Sequence, residues 1–128
     1  MIEVEKRDGS IVGFDSSKIF SAISKAFDSL HMEKDDAIIN LLVLRATADF
    51  QTKIKDNRIS VEMIQDSVEK TLSESGYYPV AKTYILYRKQ RENVRKIQST
   101  ANEYIHLVNS YLHDNISLED ENSMATYS

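Results

Sequence analysis

From Ile2 to Phe14 apolar and polar positions alternate with the period of a strand, interrupted by Arg7-Asp8-Gly9. A two-residue Asp8-Gly9 loop would set Val4 opposite Gly13 and mix the two faces. A three-residue loop, Arg7-Asp8-Gly9, pairs Ile2 with Phe14 and Val4 with Val12 and leaves one clean apolar face. The pattern predicts a β-hairpin whose left-handed turn position falls on Gly9, the residue that adopts it at least cost. Lys6 then lies on the apolar face, at the end of the stripe.

The period lengthens after Phe14. Ile19, Ile23, Phe27 and Leu30 predict a helix over about 16–30, capped by Asp15 or Ser16. A second helix, about 34–51, is apolar nearly all round and is expected to be the most buried. "KIKDNRIS" brings polar turn residues with room for a short strand around Ile54 or Arg58-Ile59. Ser60 caps a third helix with Val61, Ile64, Val68 and Leu72 on one face, ended by Gly76. A fourth starts at "YYPVAK", with Pro79 in its first turn. Its stripe is Val80, Ala81, Tyr84, Ile85, Tyr87 and Arg88, and it continues through Ile97, Ala101, Ile105 and Val108 to about Leu112. "HDNISLEDENSMATYS" is polar, acidic and patternless, and reads as a linker.

Composition narrows the chemistry more than the fold. With 128 residues, 3 Gly and 1 Pro, the chain is one mostly helical α+β domain. The absence of Cys removes disulfides, zinc-thiolate sites and thiol chemistry from this chain. No apolar run approaches the roughly 18 residues of a membrane span, so a soluble, intracellular, cytoplasmic protein with no membrane partner is expected. The net charge of −4 conceals a split: all 16 Lys and Arg lie before residue 97, whereas 97–128 carry only acids among their ionised side chains (Glu103, Asp114, Glu119, Asp120, Glu121). A global acidic balance argues against direct DNA binding. The local basic stretch 82–96 still suits a phosphate or an acidic partner.

Two candidate sites follow. Lys6 and Arg7 flank the turn, and Lys18 stands in the first turn of a helix, where the dipole disfavours a lysine and welcomes an anion. Charges at a turn are ordinarily just solvated, and the residues alone favour that plainer account. Arg88 and Arg91, three apart on the last helix, can converge on one phosphate; a basic helix snorkelling over apolar surface explains them as well. His31, His106 and His113 are scattered without metal-ligand spacing. No Gly-rich phosphate loop, nucleophile elbow or other catalytic machinery is present, so no catalytic and no metal-binding residue is assigned.

In order and spacing these pieces resemble a known module. "V-x-K-R-D-G-x-x-x-x-F-D-x-x-K-I" at Val4–Ile19 looks like the signature of the ATP-cone, a regulatory nucleotide-binding domain at the N-terminus of many ribonucleotide reductases. "I-S-V-E-x-I-Q-D-x-V-E-x-x-L" at Ile59–Leu72 and "G-Y-Y-x-V-A-K-x-Y-I-L-Y-R-x-x-R" at Gly76–Arg91 match in turn. The tail "ENSMATYS", Glu121–Ser128, is similar to the segment where the catalytic barrel of the anaerobic (class III) ribonucleoside-triphosphate reductase begins. A reductase repressor also carries a cone, but behind a four-cysteine zinc ribbon that this chain lacks.

The resemblance implies a small sheet lying over a four-helix bundle. It also implies ATP as activator and dATP as inhibitor, told apart by the ribose 2′-OH and accompanied by Mg²⁺. Val4, Lys6 and Arg7 match the strand-and-turn contacts to base and phosphate. Asp15 matches a polar position near the ribose or the helix start, Lys18 a phosphate-binding lysine, and Arg88 and Arg91 the basic pair on the last helix. Where some members have an acidic residue before the aromatic position, this chain has Val12-Gly13-Phe14. The expected organisation is an ATP-cone over 1–95, then a helix extension and linker, 96–128, into the catalytic domain of the same polypeptide, with nucleotide occupancy changing the oligomeric state of a homo-oligomer or the mobility of catalytic elements. Alternatives are the cone of a class I reductase and a cone that serves only for oligomerisation.

Overall fold

The computed structural model describes residues 1–112, in the order β1 (Glu3–Glu5), β2 (Ile11–Gly13), α1 (Ser16–Ser29), α2 (Asp36–Gln51), β3 (Arg58–Ser60), α3 (Val61–Glu74) and α4 (Tyr78–Leu112). The protein is mostly helical α+β, as the patterning predicts. It divides into two compact units, one over Met1–Ile85 and a second beginning at Leu86.

In the first unit β1 is the central strand of a sheet ordered β2-β1-β3. β1 and β2 pair antiparallel with Val4 opposite Val12, the register set by the three-residue loop. The loop closes through Lys6 N–H donating to Ser10 O (2.8 Å) and Gly9 N–H donating to Lys6 O (2.9 Å), with Gly9 at φ +89°. β3 pairs parallel to β1, Glu3 with Arg58, Val4 with Ile59 and Glu5 with Ser60. Of the two expected places for the third strand, Arg58–Ile59 is the one used. Asp56 and Asn57 both turn left-handed (φ 53° and 60°), and Lys55 and Arg58 exchange both backbone hydrogen bonds, the geometry of a mirror-image two-residue turn. Ile54 stays outside the strand and packs on the core.

The helix boundaries follow local chemistry. Asp15, Asp35 and Ser60 cap α1, α2 and α3, their side chains accepting from Ser17, Ala37 and Met63 N–H. α3 ends on Gly76 (φ +87°), with Gly76 N–H donating to Ser73 O and Tyr77 N–H to Leu72 O, the paired bonds of a Schellman cap. α1 ends the same way, but its left-handed position is His31 (φ 55°), with His31 N–H donating to Asp28 O and Met32 N–H to Phe27 O. A residue with a Cβ is strained there. His31→Gly is therefore expected to stabilise the fold by about 0.5–1 kcal/mol, read as a raised midpoint in urea; an unchanged or lowered midpoint would refute it.

The core joins Val4 and Ile59 of the sheet to Ile19, Ile23 and Phe27 of α1, Ile39, Leu42, Ala46 and Phe50 of α2, Val68 and Leu72 of α3, and Val80, Ala81 and Tyr84 of α4. Phe14, just past β2, meets Phe50 edge-on with centroids 5.6 Å apart, and Phe27 meets Tyr77 at 5.5 Å. α2 is not the most buried helix. Ile39, Leu42, Val43, Ala46 and Phe50 are buried, but Leu41 (49%) and Leu44 (66%) are exposed. α3 buries more of itself, including the polar Gln65, Ser67 and Thr71. A helix with neighbours on one side cannot bury an apolar residue on every side. Asp49 of α2 accepts from buried Ser67 Oγ (2.7 Å) and from Lys70 Nζ (3.0 Å), tying α2 to α3. These bonds hold the Asp49 carboxyl below its usual range and raise the Lys70 ammonium above its own.

The second unit contains α4 from Leu86 onward. Among the described residues it exposes Val94, Ile97, Tyr104, Ile105 and Leu107, and Glu92 pairs with Lys96 one turn on (3.4 Å). In α4 overall, the expected stripe holds for Val80, Ala81 and Tyr84, whereas Ile85 and Tyr87 are exposed. Among the described residues no helix is long and apolar enough to cross a membrane. The tail Glu121–Ser128 lies outside the described residues.

Candidate functional site

The sheet register brings the turn end of β1 beside the start of α3. Because Glu5 pairs with Ser60, and Ser60 caps α3, the next residues of β1 face the helix's first turns. Lys6 is half-buried at the end of the apolar stripe, as its place in the alternation predicts. Arg7 reaches α3: its Nη2 donates to Gln65 Oε1 (2.9 Å) and its Nε lies 3.2 Å from Glu62 Oε2. The Arg7 side chain is only 24% exposed, Glu62 is 50% exposed, and Gln65 is buried. A guanidinium presents two parallel donors along that edge, so a carboxylate and an amide oxygen three residues apart on a helix fit it well.

Other sequence-selected residues fall in different places. Val4 is 2% exposed and its side chain belongs to the core. Asp15 caps α1 through Oδ1, which accepts from Ser17 N–H (3.0 Å) and Ser17 Oγ (2.7 Å). Those hydrogen bonds, the side-chain one foremost, lower its pKa and keep it charged. Asp8 is lowered the same way by Ser10, with Lys6 adding a smaller Coulombic share. Lys18 is exposed in the first turn of α1, its N–H donating to Asp15 O (3.2 Å). α1 is entered from the end of the sheet where Phe14 N–H donates to Ile2 O, the end away from the turn. The hairpin loop alone therefore does not juxtapose Lys18 with Lys6 and Arg7. Arg88 and Arg91 lie on α4 in the second unit, both half-buried and three residues apart.

The sequence alone gives no reason to place Glu62 and Gln65 at the turn. Their i, i+3 spacing in "SVEMIQ" was the available signal, and nothing local links it to a turn 58 residues earlier. Among the described residues no group of three or more His, Asp or Glu is arranged to hold a metal. The acids nearest the turn and the α1 cap, Asp8 and Asp15, already serve Ser10 and Ser17. The turn and the start of α3 thus offer cationic and hydrogen-bonding groups that suit an anion.

The family model of the ATP cone domain matches residues 2–93. The chain is similar to the ribonucleoside-diphosphate reductase subunit alpha of Chlamydia pneumoniae, 36% identical over 120 residues, covering 88% of this chain and 12% of that protein. It is 40% identical over 103 residues to the vitamin B12-dependent ribonucleoside-diphosphate reductase of Thermoplasma acidophilum, covering 73% of this chain and 12% of the relative. The anaerobic ribonucleoside-triphosphate reductase of Escherichia coli is 31% identical over 102 residues, covering 80% and 14%. The chain spans about 12% of the length of the first of these relatives. A hairpin with the K-R-D-G turn, a parallel third strand and capped helices, matched by the family model from residue 2 to residue 93, make this chain a member of the ATP cone domain family.

Proposed function

We propose that this chain is the nucleotide-binding regulatory domain of a ribonucleotide reductase and binds ATP and dATP. Membership of the ATP cone domain family over residues 2–93 carries the proposal. Lys6, Arg7 and Lys18 supply charge-assisted contacts to the phosphates. Val4, packed in the core, fixes the strand that leads to the base-binding edge, Asp15 holds the α1 start near the ribose, and Arg88 and Arg91 act as an anion-binding pair within the second unit. Mg²⁺ accompanies the triphosphate and screens its charge. The cone spans 1–95, and 96–128 lead into a catalytic domain in the cytoplasm.

Regulation works by linkage. A nucleotide that binds one quaternary state of a homo-oligomer better shifts the population toward it, by no more than its differential affinity. The tail "ENSMATYS" favours an anaerobic ribonucleoside-triphosphate reductase as parent. The 36–40% identities to diphosphate reductases, against 31% for the Escherichia coli anaerobic enzyme, favour a class I or B12-dependent parent as the second reading.

Calorimetric titration of the chain with ATP, dATP and GTP in Mg²⁺, with light scattering on the same samples, tests the proposal. ATP and dATP are expected to bind and GTP not to, with a mass change for one of the two. Heat-silent titrations with all three would end the regulatory proposal.

A further inference from the structure

The turn arginine is held by two acceptors of unequal permanence. Gln65 is buried at 7% exposure in the wall of α3, so its amide is fixed by packing. Glu62 is half exposed, and its pairing with Arg7 Nε at 3.2 Å is a solvent-screened contact of small worth. Both take the same edge of the guanidinium, Nε and Nη2. A phosphate approaching that edge meets a carboxylate already in place.

We propose that Glu62 and Gln65 form a latch on Arg7, in which Gln65 aims the guanidinium and Glu62 stands in for the phosphate until a nucleotide displaces it. The inference rests on the nucleotide-binding proposal and adds two positioning residues to that site. A multiply charged phosphate wins the exchange because it brings more negative charge to a donor edge that Glu62 holds only weakly. Displacement frees a side chain on the first turn of α3, next to the Ser60 cap and the end of β3. Occupancy at the turn is thereby felt by the helix that ties α2 to the sheet.

The test is a cycle of ATP titrations on the 128-residue chain: unchanged, Glu62→Gln, Arg7→Ala, and the double variant, each checked for folding by circular dichroism. Glu62→Gln is expected to tighten ATP binding about two- to fivefold, and the gain is expected to vanish when Arg7 is absent. An equal gain without Arg7 overturns the latch, since removing a negative charge would then act only through the general field. ATP binding unaltered by Glu62→Gln overturns the latch and leaves the nucleotide site standing. No binding by either the unchanged chain or Glu62→Gln overturns both. Should Arg7→Ala bind too weakly to titrate, the Arg7 Nε–H resonance in the otherwise unchanged chain decides: it is expected to shift on ATP addition, and a resonance unmoved at saturation overturns the latch.

Discussion

Phe50→Ala is expected to cost about 3–5 kcal/mol, a large fraction of the roughly 5–15 kcal/mol that holds a domain of this size together. Phe50 is wholly buried near the end of α2 and meets Phe14 edge-on at 5.6 Å, the contact by which the exit of the hairpin rests on the helices. Truncation removes the ring's buried area, opens a cavity beneath the sheet and deletes the aromatic contact. Leu44→Ala, on the same helix but 66% exposed, should stay within about 0.5 kcal/mol. Urea unfolding followed by circular dichroism measures both. Equal losses would mean that α2 uses a different face from the one described.

Lys18→Glu is expected to weaken ATP binding about 10- to 100-fold, the scale of a lost charge-assisted hydrogen bond plus repulsion. The same change should leave the fold intact or slightly firmer, because an acid in the first turn of α1 complements the helix dipole where a lysine opposes it. Opposite signs in the two readouts separate a binding residue from a structural one. Lys6→Glu should weaken binding on the same scale, with some loss of stability, because Lys6 is half-buried at the end of the apolar stripe. Calorimetry and thermal unfolding on the same preparations report both quantities. Undiminished affinity in both variants would remove these lysines from the site.

Short-range chemistry was written in the sequence and read from it directly. The three-residue loop with Gly9, a cap at Asp15 or Ser16, of which the structure uses Asp15, the cap Ser60, the stop at Gly76 and the long run of α4 to Leu112 each depend on residues within a turn or two. So does the family likeness, because its motifs are local strings. The tertiary structure decided what joins distant strings: the parallel pairing of β3 with β1, the exposure of Leu41 and Leu44 on an otherwise apolar helix, and the grip of Glu62 and Gln65 on Arg7. His31 shows the same division. Its place as the left-handed cap of α1 depends on where the chain must turn after Phe27, and no spacing of histidines encodes that. Periodicity states which side of an element is apolar, but which neighbours cover that side, and which side chain a turn arginine meets 58 residues away, are settled only when the whole chain packs.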